Sequence, residues 1–261
     1  MKTYAMNKIG LLAFLMTIAT SLWAQNDTIV SKVYNLSSYK VEKEATRERR
    51  QLLEGKGAAA EYMEIHTTTI EPGKAPHAPH KHDDEEMIIV KEGKLKVTIE
   101  GQTKVLGPGS VALAIPGDMH GFENAGTGKA TYYVIKYRSK APVDVQRGKT
   151  AGGSFMIDWN DIPFNAHDKG GIRRFFDRPT AMLKRFEMHV TTLNEGLKSH
   201  DPHTHRAEEI VLLFSGDTEM QIGQNFYKGK TGDLYYLSSN VLHAIRNEGK
   251  GPCTYFAFQF E

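Results

Sequence analysis

The sequence predicts an all-β protein made of two tandem antiparallel β-barrel domains, and three observations carry that prediction. Ten of the eleven histidines fall into five pairs at a constant spacing of 123 residues: His66 with His189, His77 with His200, His80 with His203, His82 with His205, and His120 with His243. A spacing held five times without insertion or deletion marks one module present twice. Within each copy the apolar residues come as short alternating runs, such as Leu95, Val97 and Ile99, then Val111, Leu113 and Ile115. That alternation is the period of a half-buried strand. Gly and Pro fall between the runs, at 91–93, 100–102 and 106–109, without long helical stretches, as in a barrel or sandwich.

In chain order, the first 24 residues carry Lys2 and Lys8 ahead of an apolar run over 9–23 and end on Ala24. This is the layout of a cleaved secretory signal peptide. Residues 25–138 form the expected N-terminal domain, 139–154 a linker rich in Gly, Ser, Pro and charge, and 155–261 the C-terminal domain. Each domain is long enough for its own core. The stretch 41–53 looks like a charged helix, but its paired copy holds Pro163, Gly170, Gly171 and Pro179, which a helix interior does not tolerate. It reads instead as an irregular arm leading into the first strand. Leu36 and Trp159 sit at equivalent arm positions and are expected to pack between modules joined as a pseudo-dimer. Arg50 and Arg173 in the arms are expected in structural ion pairs, with a substrate carboxylate as the alternative.

Charge and cysteine narrow the function. The formal charge is +2, and loss of Lys2 and Lys8 brings it to zero, so nothing marks nucleic acid or an anionic membrane as partner. Cys253 is the only cysteine, which excludes an intrachain disulfide and an N-terminal lipid. The expectation is a soluble periplasmic or secreted protein with a small-molecule ligand, and a homo-oligomer is an open option.

The histidine pairs point to metal. His80 and His82 alternate, so on a strand they project together. Glu86 brings a carboxylate back to the same region, and His120, beyond the Pro116-Gly117 turn, adds a third imidazole. Three imidazoles and a carboxylate without thiolate suit an octahedral first-row ion with open positions. His77 and His200 are read as rim or backing residues, and His66 and His189 as core or rim. Glu85 and Glu208 have the opposite parity and are expected to face solvent.

From Gly73 the sequence reads GKAPHAPHKHDDEEMIIVKEG and from Gly109 GSVALAIPGDMHGFEN; the second copy reads GLKSHDPHTHRAEEIVLLFSG and GDLYYLSSNVLHAIRN. These stretches resemble the two motifs of the cupin superfamily, over nearly the whole chain after residue 24, as a bicupin of jelly-roll barrels. One residue more separates the leading Gly from the His pair in each copy, and Ser239-Asn240 replaces Pro116-Gly117. The resemblance implies His80, His82, Glu86 and His120 as one ligand set and His203, His205, Glu209 and His243 as the other. It implies one divalent transition metal per module, Mn, Fe, Ni, Cu or Zn, and no organic cofactor. Its functions include dioxygenases, oxalate decarboxylases, sugar-acid isomerases, ureidoglycine aminohydrolases and non-catalytic binders. A dioxygenase-type oxidoreductase is the first expectation, and no catalytic residue beyond the ligands is assigned. The alanines of the run 111–114, against Tyr235 and Tyr236 in the copy, predict more room at the first site; a tyrosine hydroxyl near the second metal is a further expectation.

Overall fold

The computed structural model describes residues 28–261, so the expected signal peptide at 1–24 lies outside the described residues. The chain is nearly all β, as the alternating apolar runs require. Each module pairs a seven-stranded sheet with a three-stranded one, all antiparallel. In the first module the large sheet runs Phe155–Ile157, Val111–Ala114, Glu85–Glu92, Ala130–Ser139, Ala60–Ile70, Arg47–Gly55, Glu42–Lys43. The strand Leu95–Ile99 sits between Gln102–Leu106 and His120–Asn124 in the small sheet. The second module repeats both. Among the described residues no helix is long and apolar enough to cross a membrane.

Strand parity sorts the apolar residues into three cores. Ile88, Val90, Ala112, Tyr132 and Val134 meet Leu95, Val97 and Ile99 inside the first barrel. Val211, Leu213, Tyr235 and Tyr255 meet Met220, Ile222 and Ile245 inside the second. The opposite faces, with Met87, Ile89, Leu113 and Ile135 from one large sheet and Ile210, Leu212, Tyr236 and Phe256 from the other, pack together as one core between the modules. Both faces of each large sheet are therefore buried, which accounts for the unbroken apolar stretches 87–90 and 210–213.

The arms are exchanged. Lys32–Tyr34, at the start of the first module, pairs with Leu234–Leu237 of the second, while Phe155–Ile157 pairs with Val111–Ala114 of the first. A Cβ on Gly109 would lie 2.3 Å from Trp159, and one on the equivalent Gly232 would lie 2.8 Å from Leu36. Both glycines have positive φ, so each supplies its turn and the space for the arm residue of the other module. The expected packing of Leu36 and Trp159 is thus realised by strand exchange. The linker carries a short helix, Val145–Thr150, with Asp144 accepting from the Arg147 amide.

Two expectations are corrected. The segment 41–53 is not irregular: Arg47–Gly55 and its copy Gly170–Arg178 are sheet strands. Pro163 and Pro179 flank the copy instead of interrupting it, and a Cβ on Gly171 would meet Phe164 at 2.1 Å. Among the described residues Arg50 and Arg173 make no ion pair. Arg50 donates to the Leu36 carbonyl at 2.9 Å, and Arg173 donates to the Ile162 carbonyl and lies over the Trp159 ring, so both pin the arms.

Candidate metal centres

His80 joins His120 by an isolated antiparallel bridge, each amide donating to the other's carbonyl at 2.9 Å. His82 lies just beyond this bridge rather than on a regular strand, and its carbonyl accepts from the Gly117 amide at 3.0 Å. The second copy keeps the bridge, His203 to His243, and the turn. Asn240 there takes φ 60°, doing for His243 what Gly117 at φ 85° does for His120.

These backbone contacts bring the potential ligand atoms of His80, His82 and His120, and of His203, His205 and His243, within 4.8 Å of one another. Glu86 closes the first group, with Oε2 3.2 Å from His82 Nε2 and Oε1 3.7 Å from His120 Nε2. Glu209 closes the second, with Oε2 2.8 Å from His205 Nε2 and 3.4 Å from His243 Nε2. Nδ1 of His82, His120, His205 and His243 each donates to a nearby backbone carbonyl, of Asp84, Asp118, Ala207 and Val241. That fixes the tautomer and turns Nε2 inward as the ligand atom. The buried Nε2 atoms of His120 and His243 have no hydrogen-bond partner, as expected of a nitrogen whose partner is a metal. The residues therefore fit one divalent metal in each module.

Electrostatics agree. Burial, then the His120 and His77 rings, push His80 down to about 4, so it is neutral and ready to coordinate. Burial and its histidine neighbours lower His203 too. Burial pushes the Glu209 carboxyl up, but the His205 hydrogen bond and the close His243 and His205 rings outweigh it and hold it at about 2. Glu86 is held below its ordinary value in the same way. His77 and His200 are exposed and set their rings edge-on to His80 and His203 at 4.4 and 4.2 Å, consistent with a rim position.

Glu85 and Glu208, expected in solvent, are instead 0% and 1% exposed. Their parity does oppose the ligands, but that face is the core between modules. Glu85 accepts from Tyr137 Oη at 2.5 Å, Thr180 Oγ1 at 2.7 Å and the Ala181 amide at 2.8 Å, with the Met182 amide at 3.4 Å. Glu208 accepts from the Ala58 and Ala59 amides at 2.8 and 2.6 Å and from Tyr236 Oη. Each glutamate next to a metal-site carboxylate thus holds a loop of the other module. Tyr236 is engaged here and Tyr235 bonds Thr218 and the Tyr227 carbonyl, so neither hydroxyl reaches the second metal group.

The barrel interiors differ at the run 111–114, with one of the two tyrosines of the copy, Tyr235, facing inward and Tyr236 facing the core between modules. Ala112 and Ala114 face the first core beside Ile88 and Glu86, and Tyr235 and Leu237 face the second beside Val211 and Glu209. Met156, on the exchanged strand, packs against the first core and takes part of that room.

Several site residues carried no motif. His66 and His189 face the barrel side with Glu64 and Glu187, from which Nδ1 lies 2.7 and 2.8 Å away. In the first module Glu64 also accepts from Tyr62 at 2.5 Å and pairs with Arg49, and Asp84 pairs with Arg138 at 2.8 Å. Burial pushes Glu64 up, but the bonds from His66 and Tyr62 outweigh it and keep it ionised. The second module has Ile172 in place of Arg49, Arg185 in place of Tyr62, and Gln259 in place of Lys136. Its mouth is a cavity of about 530 Å³ lined by Arg174, Arg185, Glu187, His189 and Gln259 among others. Duplication itself was the available signal: comparing the copies at constant offset exposes these replacements.

A family model described as a cupin domain matches residues 66–136 and 189–258. A 62-residue stretch is 34% identical to L-ectoine synthase of Vibrio campbellii, covering 23% of this chain and 48% of that enzyme, so the chain spans about half the length of the curated relative it matches. AerE from Microcystis aeruginosa superposes with a TM-score of 0.66 at 18% identity, over 85% of this chain and 97% of that one. The oxalate decarboxylase of Lactobacillus farciminis, in a formate complex, superposes with a TM-score of 0.68 at 12% identity, over 89% and 86%. With the domain model matched once in each barrel and over more than half of its length, the chain belongs to the cupin family, as a bicupin.

Proposed function

We propose that the protein is an exported metal-dependent enzyme that acts on a small oxygen-rich metabolite by dioxygenase-type chemistry. The observation that carries the metal dependence is the twice-built set of three imidazoles and one carboxylate whose buried Nε2 atoms at His120 and His243 have no partner. Such a set suits Mn, Fe, Ni, Cu or Zn with coordination positions left for substrate. A bound ion supplies Lewis-acid polarisation and, when redox-active, electron transfer. The chain's own residues orient the imidazoles through their Nδ1 donors and keep Glu64 ionised as a hydrogen-bond acceptor at the mouth. The oxalate decarboxylase likeness adds small carboxylic acids to the substrates worth testing.

A second reading, a metal-holding binding protein for a sugar or carboxylate, draws on that state of Glu64. An ionised carboxyl at the mouth cannot protonate a departing group. The proposal includes a small-molecule partner, no nucleic-acid or membrane partner after processing at Ala24, and a possible homo-oligomer. The test is oxygen uptake and product formation by protein carrying the metal it holds in its own host, over catechols, flavonoids, oxalate and uronates. Oxygen consumed in step with substrate supports the proposal. Product formed without oxygen uptake replaces the dioxygenase reading with a decarboxylase or isomerase, and saturable binding without product leaves the binding protein.

A further inference from the structure

Lys136 occupies a singular place in the first module. Across the large sheet its register partners are Glu64 on one side and Glu86 on the other, so the three side chains share the barrel-facing side of neighbouring strands. Both carboxylates are already engaged, Glu64 by Arg49, Tyr62 and His66, and Glu86 by His82 and His120. The other cations of this mouth are matched as well, Arg49 to Glu64 and Arg138 to Asp84. Among the described residues Lys136 makes no ion pair, although its charge is felt at His82. The second module shows how far this position reaches: Gln259 places its Nε2 3.2 Å from Glu209 and 3.4 Å from His205. One barrel thus sets an unmatched ammonium beside its metal group, and the other sets a neutral carboxamide there.

We infer that this position sets the charge of the ligand at the first site, which takes an anionic oxygen ligand, a carboxylate or an enolate, held between Lys136 and the metal group. At the second site the same position carries the neutral Gln259, and the cations lining its mouth, Arg174 and Arg185, lie off that strand. A half-buried cation next to a divalent metal leaves net positive charge that one anionic group satisfies, whereas a neutral group leaves it uncompensated. The inference rests on the proposed metal binding and adds to it a ligand class for the first site.

The test uses full-length protein reconstituted with Co²⁺, titrated with acetate and with its neutral analogue acetamide while the cobalt visible spectrum is recorded. Comparison with a His205→Ala protein assigns the bands of the first site. Acetate is expected to perturb those bands, with affinity about tenfold weaker in Lys136→Gln and near wild type in Lys136→Arg. Gln259→Lys is expected to strengthen acetate binding at the second site by a similar factor, and acetamide to be indifferent to all three changes. Cobalt uptake with acetate affinity unchanged by Lys136→Gln overturns the inference and leaves the metal reading intact. Failure of the wild-type protein to take up cobalt overturns both.

Discussion

The two modules each set the same three imidazoles and one carboxylate in the same backbone frame, yet the surroundings of those four side chains have separated. In the first, the interior beside Glu86 is lined by Ala112 and Ala114, and the mouth is bound together by Arg49, Tyr62, Glu64 and His66. In the second, Tyr235 and Leu237 fill the interior beside Glu209, and the mouth opens into a cavity of about 530 Å³. Ligand positions tolerate little change because three imidazoles and a carboxylate must converge on one ion. Interior and mouth positions only have to pack and be solvated, so they are where two copies can acquire different ligands. The contacts between modules follow a third pattern: Glu85 and Glu208 are retained with their amide donors, at the equivalent pairs Ala181-Met182 and Ala58-Ala59, but their hydroxyl donors are not. Thr180 gives Glu85 a hydroxyl, while at the equivalent Gly57 a Cβ would come within 2.5 Å of Glu208.

The largest expected effect tests that difference. Glu85→Ala leaves the Tyr137 and Thr180 hydroxyls and the Ala181 amide without their acceptor in a buried site, and is expected to cost about 3 kcal/mol or more. Glu208→Ala, which strands two amides and one tyrosine, is expected to cost about 2 kcal/mol. Denaturant unfolding of the metal-free proteins measures both. A loss under about 1 kcal/mol from either would mean that the loops hold without the glutamates.

A smaller effect tests the mouth of the first module. The Glu64 carboxyl is depressed in the folded protein, so it stabilises the fold above its ordinary value of 4.5, and that contribution is lost as pH falls toward the folded value. Glu64→Gln removes the contribution. The drop in Tm between pH 6 and pH 3 is therefore expected to be smaller in the variant by about 2 °C, read from thermal melts across that range. An unchanged pH profile would show that Arg49, Tyr62 and His66 do not hold the carboxylate in solution.

Much of this was legible in the sequence, for identifiable reasons. The histidine spacing exposed the duplication, and alternation exposed the strands, because both depend on period alone. Parity put Glu85 and Glu208 on the face opposite the ligands, but it could not say that a second sheet covers that face. The exchange of Lys32–Tyr34 and Phe155–Ile157 was hidden for a related reason: an edge strand's sequence does not state which copy it joins. The segment 41–53 was misread because the glycines and prolines of its paired copy exclude a helix without excluding a strand that starts at Gly170 and stops before Pro179. Lys136 lacked any motif, and its position between Glu64 and Glu86 emerges only from pairing across three strands.

The claim on which the rest depends is that each barrel is an independent metal centre built by its own four side chains. Metal content after reconstitution and exhaustive dialysis, measured by elemental analysis on the wild type, His82→Ala and His205→Ala, tests it most directly. The expected stoichiometries are two ions per chain in the wild type and one in each variant. Loss of both ions from either single substitution, or a wild type that retains none, would contradict it.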